Sequence, residues 1–573
     1  MKKHFLLSVI LTGLFFSNYI YSQLPQLEWV NQIGGTGEED AEEVITDEEG
    51  NIITLGGFFN TVDFDPSSTG TAILNSPGLE STYLAKYSPD GEFIWVKGFT
   101  GSSNCDAKSL FQDNENNFYI TGFFKGTIDF DPSSGVSNLV STGNYSIFVV
   151  KLNSNGNFIW AKKIIGPETE IAWGVFVDST LNVYLTGNFR GKVDFDPGTE
   201  VADTFYVTTD DTKDIFILKL DSNGDFLWVN TYDPEDDSNT GCQIYVDSEG
   251  NILASGTFDD IIDFNPSSPY IIDVAGTAAY LLKLDPDGNF IWAKCYGKTG
   301  ADVYPWKFII KDDAVYMTGY FIGNVDFSPS SSEIINFVSD NVDIFIAKLD
   351  LNGNIIWVKA ISGTEADYGQ GVCIDNSGNL YITGTYMETA DFDPSESEEY
   401  YLTSNGNGES FLLKLDNDGN FIYAYSFGGI GEDGGSDILN DDSENIIMTG
   451  RFSEEVDFNP AVAYTTLLNS EGSYDSYLMK LNQNGTSVSE IKATGINVYP
   501  NPVLDEAVIS SNELLNDATV TLKDLHGRTC TEIKNINGHQ YKLSMIDRIS
   551  GIYFVEIING GNVYQCKIVR AGR

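Results

Sequence analysis

One tetrapeptide, DFDP, returns through this chain at a nearly constant interval, and that interval fixes the class of fold open to it. It occurs first as VDFDP and returns as IDFDP, VDFDP, IDFNP, VDFSP, ADFDP and VDFNP. The leading aspartates are Asp63, Asp129, Asp194, Asp263, Asp326, Asp391 and Asp457, spaced by 66, 65, 69, 63, 65 and 66 residues. A fixed long period is the mark of a repeat architecture, in which each unit buries its apolar faces against its neighbours.

Three further landmarks recur with the tetrapeptide. An aromatic closes a short apolar run at Trp29, Trp95, Trp160, Trp228, Trp292, Trp357 and Tyr423. A turn of the form D-x-x-G-N follows, as in VDSEGNI, and leads through YITG-like residues into DFDP. A lysine then stands in an apolar run at Lys86, Lys151, Lys219, Lys283, Lys348, Lys414 and Lys480. The segments between are rich in Val, Ile, Phe and Tyr and are broken by Asp, Asn and Gly, the composition of strands joined by tight turns. DSNGN and DPDGN supply the positive-φ positions that short hairpin loops require.

Each repeat therefore reads as four strands: before the D-x-x-G-N turn, into DFDP, at the lysine and at the tryptophan. Runs such as IFVVKL are continuously apolar, which predicts burial on both faces. Four-stranded units of this kind, repeated seven times, predict an all-β, seven-bladed β-propeller with four strands per blade. The array's ends support a ring. LEWVNQIGG is a Trp strand with no lysine strand before it, and YLMKLNQNG is a lysine strand with no Trp strand after it. The N-terminal strand is thus expected to complete the seventh blade, where an open solenoid would need capping units.

The chain of 573 residues is too long for one ordinary core. Its net charge of −51 argues against nucleic acid and anionic lipid as partners. From Gly495 onward basic and acidic residues balance at eight each, so the whole acidic excess precedes that point. Solubility is the first reading of that excess, and attraction of divalent cations the second. Met1–Ser22 has a lysine-rich start, an apolar run from Phe5 to Phe16 and a small residue before Gln23, and is expected to be a secretory signal peptide. No later stretch approaches the ~20 apolar residues of a transmembrane helix, so no transmembrane segment is expected. Six scattered cysteines make no disulfide scaffold, and only Cys530 and Cys566 invite pairing.

The order D-x-x-G-N, Y-x-T-G, D-F-x-P, K-L-x-x-x-G and W resembles bacterial propeller repeats of the SBBP type, over roughly residues 23–486. That resemblance supports the propeller and implies no particular activity, because one fold hosts many functions. A polar stretch at 487–495 reads as a linker. Beyond it, INVYPNP, DLHGR, GIYFVEI and KIV resemble, in that order, the C-terminal sorting domain of the type IX secretion system. The resemblance implies that residues 496–573 form a small C-terminal β-sandwich engaging the type IX secretion machinery. It also implies a secreted protein, extracellular or on the outer surface of a Gram-negative cell, and a domain commonly cleaved with the cargo released or anchored.

Two carboxylates at i and i+2 in DFDP could serve a calcium ion. The second position, however, is Asp65, Asp131, Asp196, Asn265, Ser328, Asp393 and Asn459. These side chains are interchangeable as turn-closing acceptors and not as charged ligands. The turn reading is preferred, and no cofactor is expected, with calcium left open. The strand lysines need partners if buried, and a structural pair with the repeat aspartates is expected in each blade.

Histidine occurs only at His4, His526 and His539, outside the propeller. His-dependent nucleophile systems and metal sites are thereby removed from the propeller, and no catalytic residue is assigned. A pair of carboxylates could still hydrolyse a glycosidic bond. The repeats disagree most informatively five residues before the D-x-x-G-N aspartate, at Glu42, Lys108, Trp173, Cys242, Trp306, Gln370 and Ser436. Trp173 and Trp306, with Glu168, Glu170 and Asp302 in the loops upstream, are the candidate ligand-binding residues, because exposed indoles beside carboxylates can hold a sugar or peptide. The expected function is that of an exported binding module for carbohydrate, peptide or a surface protein. A carboxylate-dependent glycan-degrading enzyme and a structural adhesin or surface-layer component are the alternatives. Near-regular repeats weigh against the enzyme.

Overall fold

The computed structural model describes residues 25–570, apart from 78, 199–203, 210–211, 235–238, 298–301, 331–332, 460–464, 484–495, 500–505, 524–528, 546–550 and 560–561. The expected signal peptide and linker lie outside the described residues. Every regular element among the described residues is a β-strand.

In the first repeat the strands Glu39–Thr46, Ile52–Phe58, Ser81–Tyr87 and Phe93–Gly101 pair antiparallel in that order. The first is innermost and the tryptophan strand outermost. The same meander recurs from inner strands Cys105–Gln112, Ile171–Val177, Thr240–Val246, Asp302–Lys311, Tyr368–Ile374 and Gly434–Asn440, giving seven four-stranded sheets among the described residues. The seventh sheet takes its outer strand, Gln26–Gly35, from the start of the chain. There Trp29 lies opposite Lys480, as Trp95 lies opposite Lys86 and Trp160 opposite Lys151. The inner strand of the first sheet touches those of the second and the seventh, so the sheets form a ring.

Second and third strands such as Ile52–Phe58 and Ser146–Leu152 are buried along their whole length. Their side chains fill cores that lie between neighbouring sheets: Tyr184 and Ile217 of the third pack with Phe258 and Tyr280 of the fourth. At the closing seam Ile33, Val44, Tyr83, Ile447 and Leu478 make one cluster. Apolar burial at roughly 25 cal/mol per Å² therefore acts across the seams, which is why no sheet is complete alone.

DFDP is a turn. Asp63 Oδ1 accepts the N–H groups of Asp65 and Ala72 (3.1 and 2.7 Å), and Asp65 Oδ1 accepts that of Ser67 (2.9 Å). Asn265 and Ser328 accept the N–H groups of Ser268 and Ser330 in the same way. The aromatic of the motif is fully buried in every copy; Phe64 packs edge-on to Phe58 at 5.8 Å. The motif also ends a short hairpin that the sequence did not reveal. Thr61–Asp63 pairs with Ile73–Asn75 and also with Gly34–Gly35 in the outer strand of the preceding sheet. Equivalent clasps join Ile128 to Gly101 and Ala390 to Gly363. A Cβ at Gly35 or Gly101 would stand 2.3 or 2.1 Å from the carbonyl oxygen of the clasping strand, so only glycine admits this approach.

The lysine pairs need correction. The aspartate that opens the D-x-x-G-N turn, and not the one in DFDP, meets the strand lysine. The pairs are Lys86–Asp47 (2.5 Å), Lys151–Asp113 (3.7 Å), Lys283–Asp247 (3.3 Å), Lys414–Asp375 (3.9 Å) and Lys480–Asp441 (2.9 Å). Lys219 instead donates to the Pro286 carbonyl, and Lys348 to Asn417. The reason is local: Asp47 already closes its turn by accepting N–H groups from Glu49 and Asn51, which leaves its second oxygen facing the next-but-one strand. The fifth repeat has a tighter Asp312–Asp313 turn, both residues at positive φ, and so lacks this acceptor.

Beyond the linker, Glu506–Lys523 pairs with Ile496–Tyr499, Thr529–Ser544 and Gly551–Asn559, and Asn562–Arg570 follows at the edge. Ile509, Leu515, Val520, Leu543, Val555 and Ile557 form its core. The Cys530–Cys566 pairing rests on a side chain outside the described residues.

The seams hold unusual acids. Glu39, Glu170 and Asp367 are fully buried at the starts of inner strands, each with one carboxyl oxygen lacking a hydrogen-bond partner. Burial, and for Glu39 also Asp475, pushes all three up to about 8. Asp47 behaves oppositely: burial disfavours its charge, but hydrogen bonds from Lys86 and Asn51 outweigh that and hold it below the usual range. The raised acids stabilise the fold fully below the unfolded carboxyl range and lose that contribution as pH rises towards 8. The lowered ones contribute above that range and fail as pH falls through their folded values. Melting temperature measured against pH should therefore peak in the mildly acidic region and decline towards pH 8; a profile that rises steadily to pH 8 would contradict the buried acids. Lys86→Met should cost about 2 kcal/mol in denaturant unfolding, because it strips a charged hydrogen bond from buried Asp47, and Lys219→Met should cost less.

Candidate functional site

Each inner strand carries one β-bulge. The register slips between Ala41 and Glu43, Ala107 and Ser109, Ala172 and Gly174, and Gly241 and Gln243. It slips again between Pro305 and Lys307, Gly369 and Gly371, and Gly435 and Asp437. The residues passed over are Glu42, Lys108, Trp173, Cys242, Trp306, Gln370 and Ser436, the positions at which the repeats disagree. A bulge turns its extra residue off the ladder and re-aims the side chain. All seven line a single cavity of about 200 Å³. The residue after the bulge lines it too in five sheets, as Glu43, Ser109, Gln243, Lys307 and Asp437.

These second residues also stitch the inner strands together. Glu43 accepts the N–H of Leu110 (2.5 Å), Ser109 that of Val175 (3.3 Å), Gln243 that of Phe308 (2.6 Å) and Asp437 that of Val44 (3.1 Å). Each bond crosses a seam. In the third and sixth sheets the position is Gly174 and Gly371, where a Cβ would stand 3.0 Å from the neighbouring inner strand.

The cavity has two unlike walls. Charged groups come from the adjacent seventh, first and second sheets: Asp437, Glu42, Glu43 and Lys108. Aromatic groups come from the third and fifth: Trp173, Tyr304, Trp306 and Tyr320. Tyr304 and Tyr320 stack at 4.8 Å, and Tyr368 meets Tyr320 edge-on at 5.1 Å. Trp306 is 49% exposed, whereas the Trp173 indole N–H is buried without a partner. Lys307, rooted in the aromatic wall, reaches Asp437 at 2.6 Å and Glu43 at 4.0 Å on the charged side. Lys108 binds Glu42 at 2.5 Å and Asp106 at 3.0 Å, and its Nζ lies 5.9 Å from the Trp173 ring centroid.

Burial governs the electrostatics. It raises Glu43 to about 7, with Lys307 opposing and Asp437 reinforcing. Beside the cavity burial raises Asp106 to about 6 against the pull of Lys108, Asp40 to about 6 with help from Glu42, and Glu80 to about 8 with help from Asp106. Burial opposes the charge of Lys108 and Lys307, but Glu42 and Asp106 around the first and Asp437 and Glu43 around the second prevail and raise both. Burial pushes the Cys242 thiol up to about 12. The lysines are therefore held charged and the thiol neutral, so none of the three is poised as a nucleophile.

Trp173 and Trp306 are brought together in this cavity. Glu168, Glu170 and Asp302 are not among its lining residues. Glu168 is exposed, and its backbone carbonyl accepts the Asn144 N–H. Glu170 is buried at a seam and accepts the Gly166 N–H (3.0 Å), and Asp302 accepts that of Thr277 (3.1 Å). Glu43, Lys307 and Asp437 went unnoticed in the sequence. Their signal was adjacency to the variable position, readable only once the bulge is known.

Residues 497–571 match the family described as secretion system C-terminal sorting domain, and residues 356–385 match the β-propeller repeat family SBBP. Over 480 residues the chain is 22% identical to the uncharacterized WD repeat-containing protein L264 of Acanthamoeba polyphaga mimivirus, covering 75% of this chain and 31% of that protein. The chain thus spans about a third of the length of that curated relative. Among solved structures, streptogramin B lyase aligns at 8% identity and TM-score 0.33, covering 79% of this chain and 97% of its own. A Glu150Asp mutant of Synechocystis apocarotenoid oxygenase aligns at 10% and 0.32, covering 91% and 97%. The sorting domain directs secretion to the outer cell surface or extracellular space of a Bacteroidetes-type Gram-negative cell. No described helix is long and apolar enough to cross a membrane. The chain carries an SBBP-type β-propeller repeat at residues 356–385 and a type IX secretion sorting domain at residues 497–571.

Proposed function

We propose that the protein is an exported binding module that takes a projecting group of a carbohydrate, peptide or surface-protein ligand into the central cavity. The observation that carries this reading is the convergence of all seven bulged residues on one cavity. The rest of the repeat serves the scaffold: the DFDP carboxylates close turns, and the strand lysines face turn aspartates or carbonyls. Variable side chains that the repeat does not fix are gathered at this cavity, where they can meet a ligand. A cavity of about 200 Å³ is smaller than most pockets that enclose a whole small molecule, so it suits one side chain or one ring presented by a larger partner. Trp306, half-exposed in its lining, offers a flat face for stacking.

The glycan-degrading alternative has one observation in its favour. Glu43, raised to about 7 by burial, lines the same cavity as Asp437, and glycoside hydrolysis uses two carboxyl groups facing one site. Against it, both carboxylates accept backbone N–H groups across seams and share Lys307. The propeller should therefore bind without turnover. Ligands found on glycan and peptide arrays should bind Trp306→Ala at least about tenfold more weakly than the wild type, with melting temperature preserved because the indole is exposed. Unchanged affinity would remove the cavity as the site, and release of reducing ends from a polysaccharide would replace the binder with an enzyme.

A further inference from the structure

We propose that the group admitted to the cavity is the alkylammonium of a lysine side chain on a protein partner, its stem along Tyr304 and Trp306 and its head on the carboxylates of the first and seventh sheets. This rests on the binding reading above and adds the chemistry of the ligand.

Carboxyl groups outnumber cations in and around the cavity. Glu42, Glu43 and Asp437 line the cavity against Lys108 and Lys307. Just behind them stand Asp40, Glu80 and Asp106, and Arg451, which binds Asp40 at 3.2 Å, is already shared with Glu432 at 3.0 Å. Every cation in the neighbourhood serves two carboxylates. Burial raises Glu43 to about 7 and Glu80 to about 8, and the neighbouring Asp437 and Asp106 reinforce it. An entering ammonium would let such groups ionise, whereas an anion would add to a field already in excess.

The opposite wall suits the stem of such a ligand. Tyr304, Trp306 and Tyr320 present aromatic faces, and a cation within about 6 Å of a ring centroid is attracted by the ring quadrupole. The protein already contains this arrangement, with Lys108 placed 5.9 Å from Trp173 and against two acids. A long apolar stem ending in a compact charge fits a small cavity with one apolar and one acidic wall better than a sugar ring does. The net charge of −51 would draw a basic partner from a distance.

The test is calorimetric titration of the secreted protein with two ligand pairs, a lysine-containing peptide against its Nε-acetylated form, and a chitosan oligomer against its fully N-acetylated counterpart. The expected result is binding of the lysine peptide, loss of at least about tenfold on acetylation, a similar loss in Trp306→Ala with unchanged melting temperature, and a similar loss in Glu43→Gln, whose amide oxygen can still accept the Leu110 N–H. Equal binding of the acetylated peptide would overturn the ammonium. Preference for the chitosan oligomer over the peptide would overturn the protein partner. If neither pair binds but an array glycan does so through Trp306, the cation inference fails and the binding reading stands. If Trp306→Ala alters no binding at all, both fail.

Discussion

Everything in the propeller depends on apolar packing across seams between sheets. A sheet buried on both faces cannot stop the array, because its outward side would remain wet. The array must return on itself, and the strand Gln26–Gly35 does this by supplying the tryptophan edge that the last repeat lacks. The clasping hairpins then hold the first, second and sixth sheets each to the outer edge of the one before, through glycines that allow backbone contact. Hydrogen bonds at the inner strands, such as Leu110 to Glu43 and Val44 to Asp437, hold the seams from the other side.

How much of this was legible depends on whether a feature repeats. The period, the four strands, the turn role of DFDP and the closing strand were all readable, because the same requirement recurs in each unit and leaves the same residues. The clasps were not, although their glycines stand in plain view at Gly35, Gly101 and Gly363. A glycine after a strand reads as an ordinary loop residue until the neighbouring backbone is seen. The lysine partner was misassigned because two aspartates recur in every unit. Sequence spacing cannot say which of them faces the lysine strand.

The lining of the cavity was half legible for a related reason. Trp173 and Trp306 were singled out because they stand where the units differ, and both line it. The companions chosen for them, Glu168, Glu170 and Asp302, were picked by nearness along the loops, and the structure spends two of them on backbone donors. Adjacent residues of a regular strand face opposite ways, so nothing in the sequence placed Glu43, Lys307 and Asp437 beside the variable position's side chains. The bulge cancels that alternation, and a register slip of one residue leaves no trace in composition.

The closing strand also sets an order of events. Glu28 bonds Asn482 across 454 residues, so the ring cannot shut until almost the whole repeat array has emerged. Equilibrium tolerates this well, since each doubling of loop length costs only about 0.6 kcal/mol. The kinetics are less forgiving, because contacts so remote in sequence are slow to form. Until the first strand arrives, the last sheet has a bare lysine edge, and Ile33 and Leu478 are apart. The sorting domain follows that edge closely in the chain. The strand edge that closes the ring and the export address are therefore neighbours in the chain, and both are complete only when nearly all of it is present.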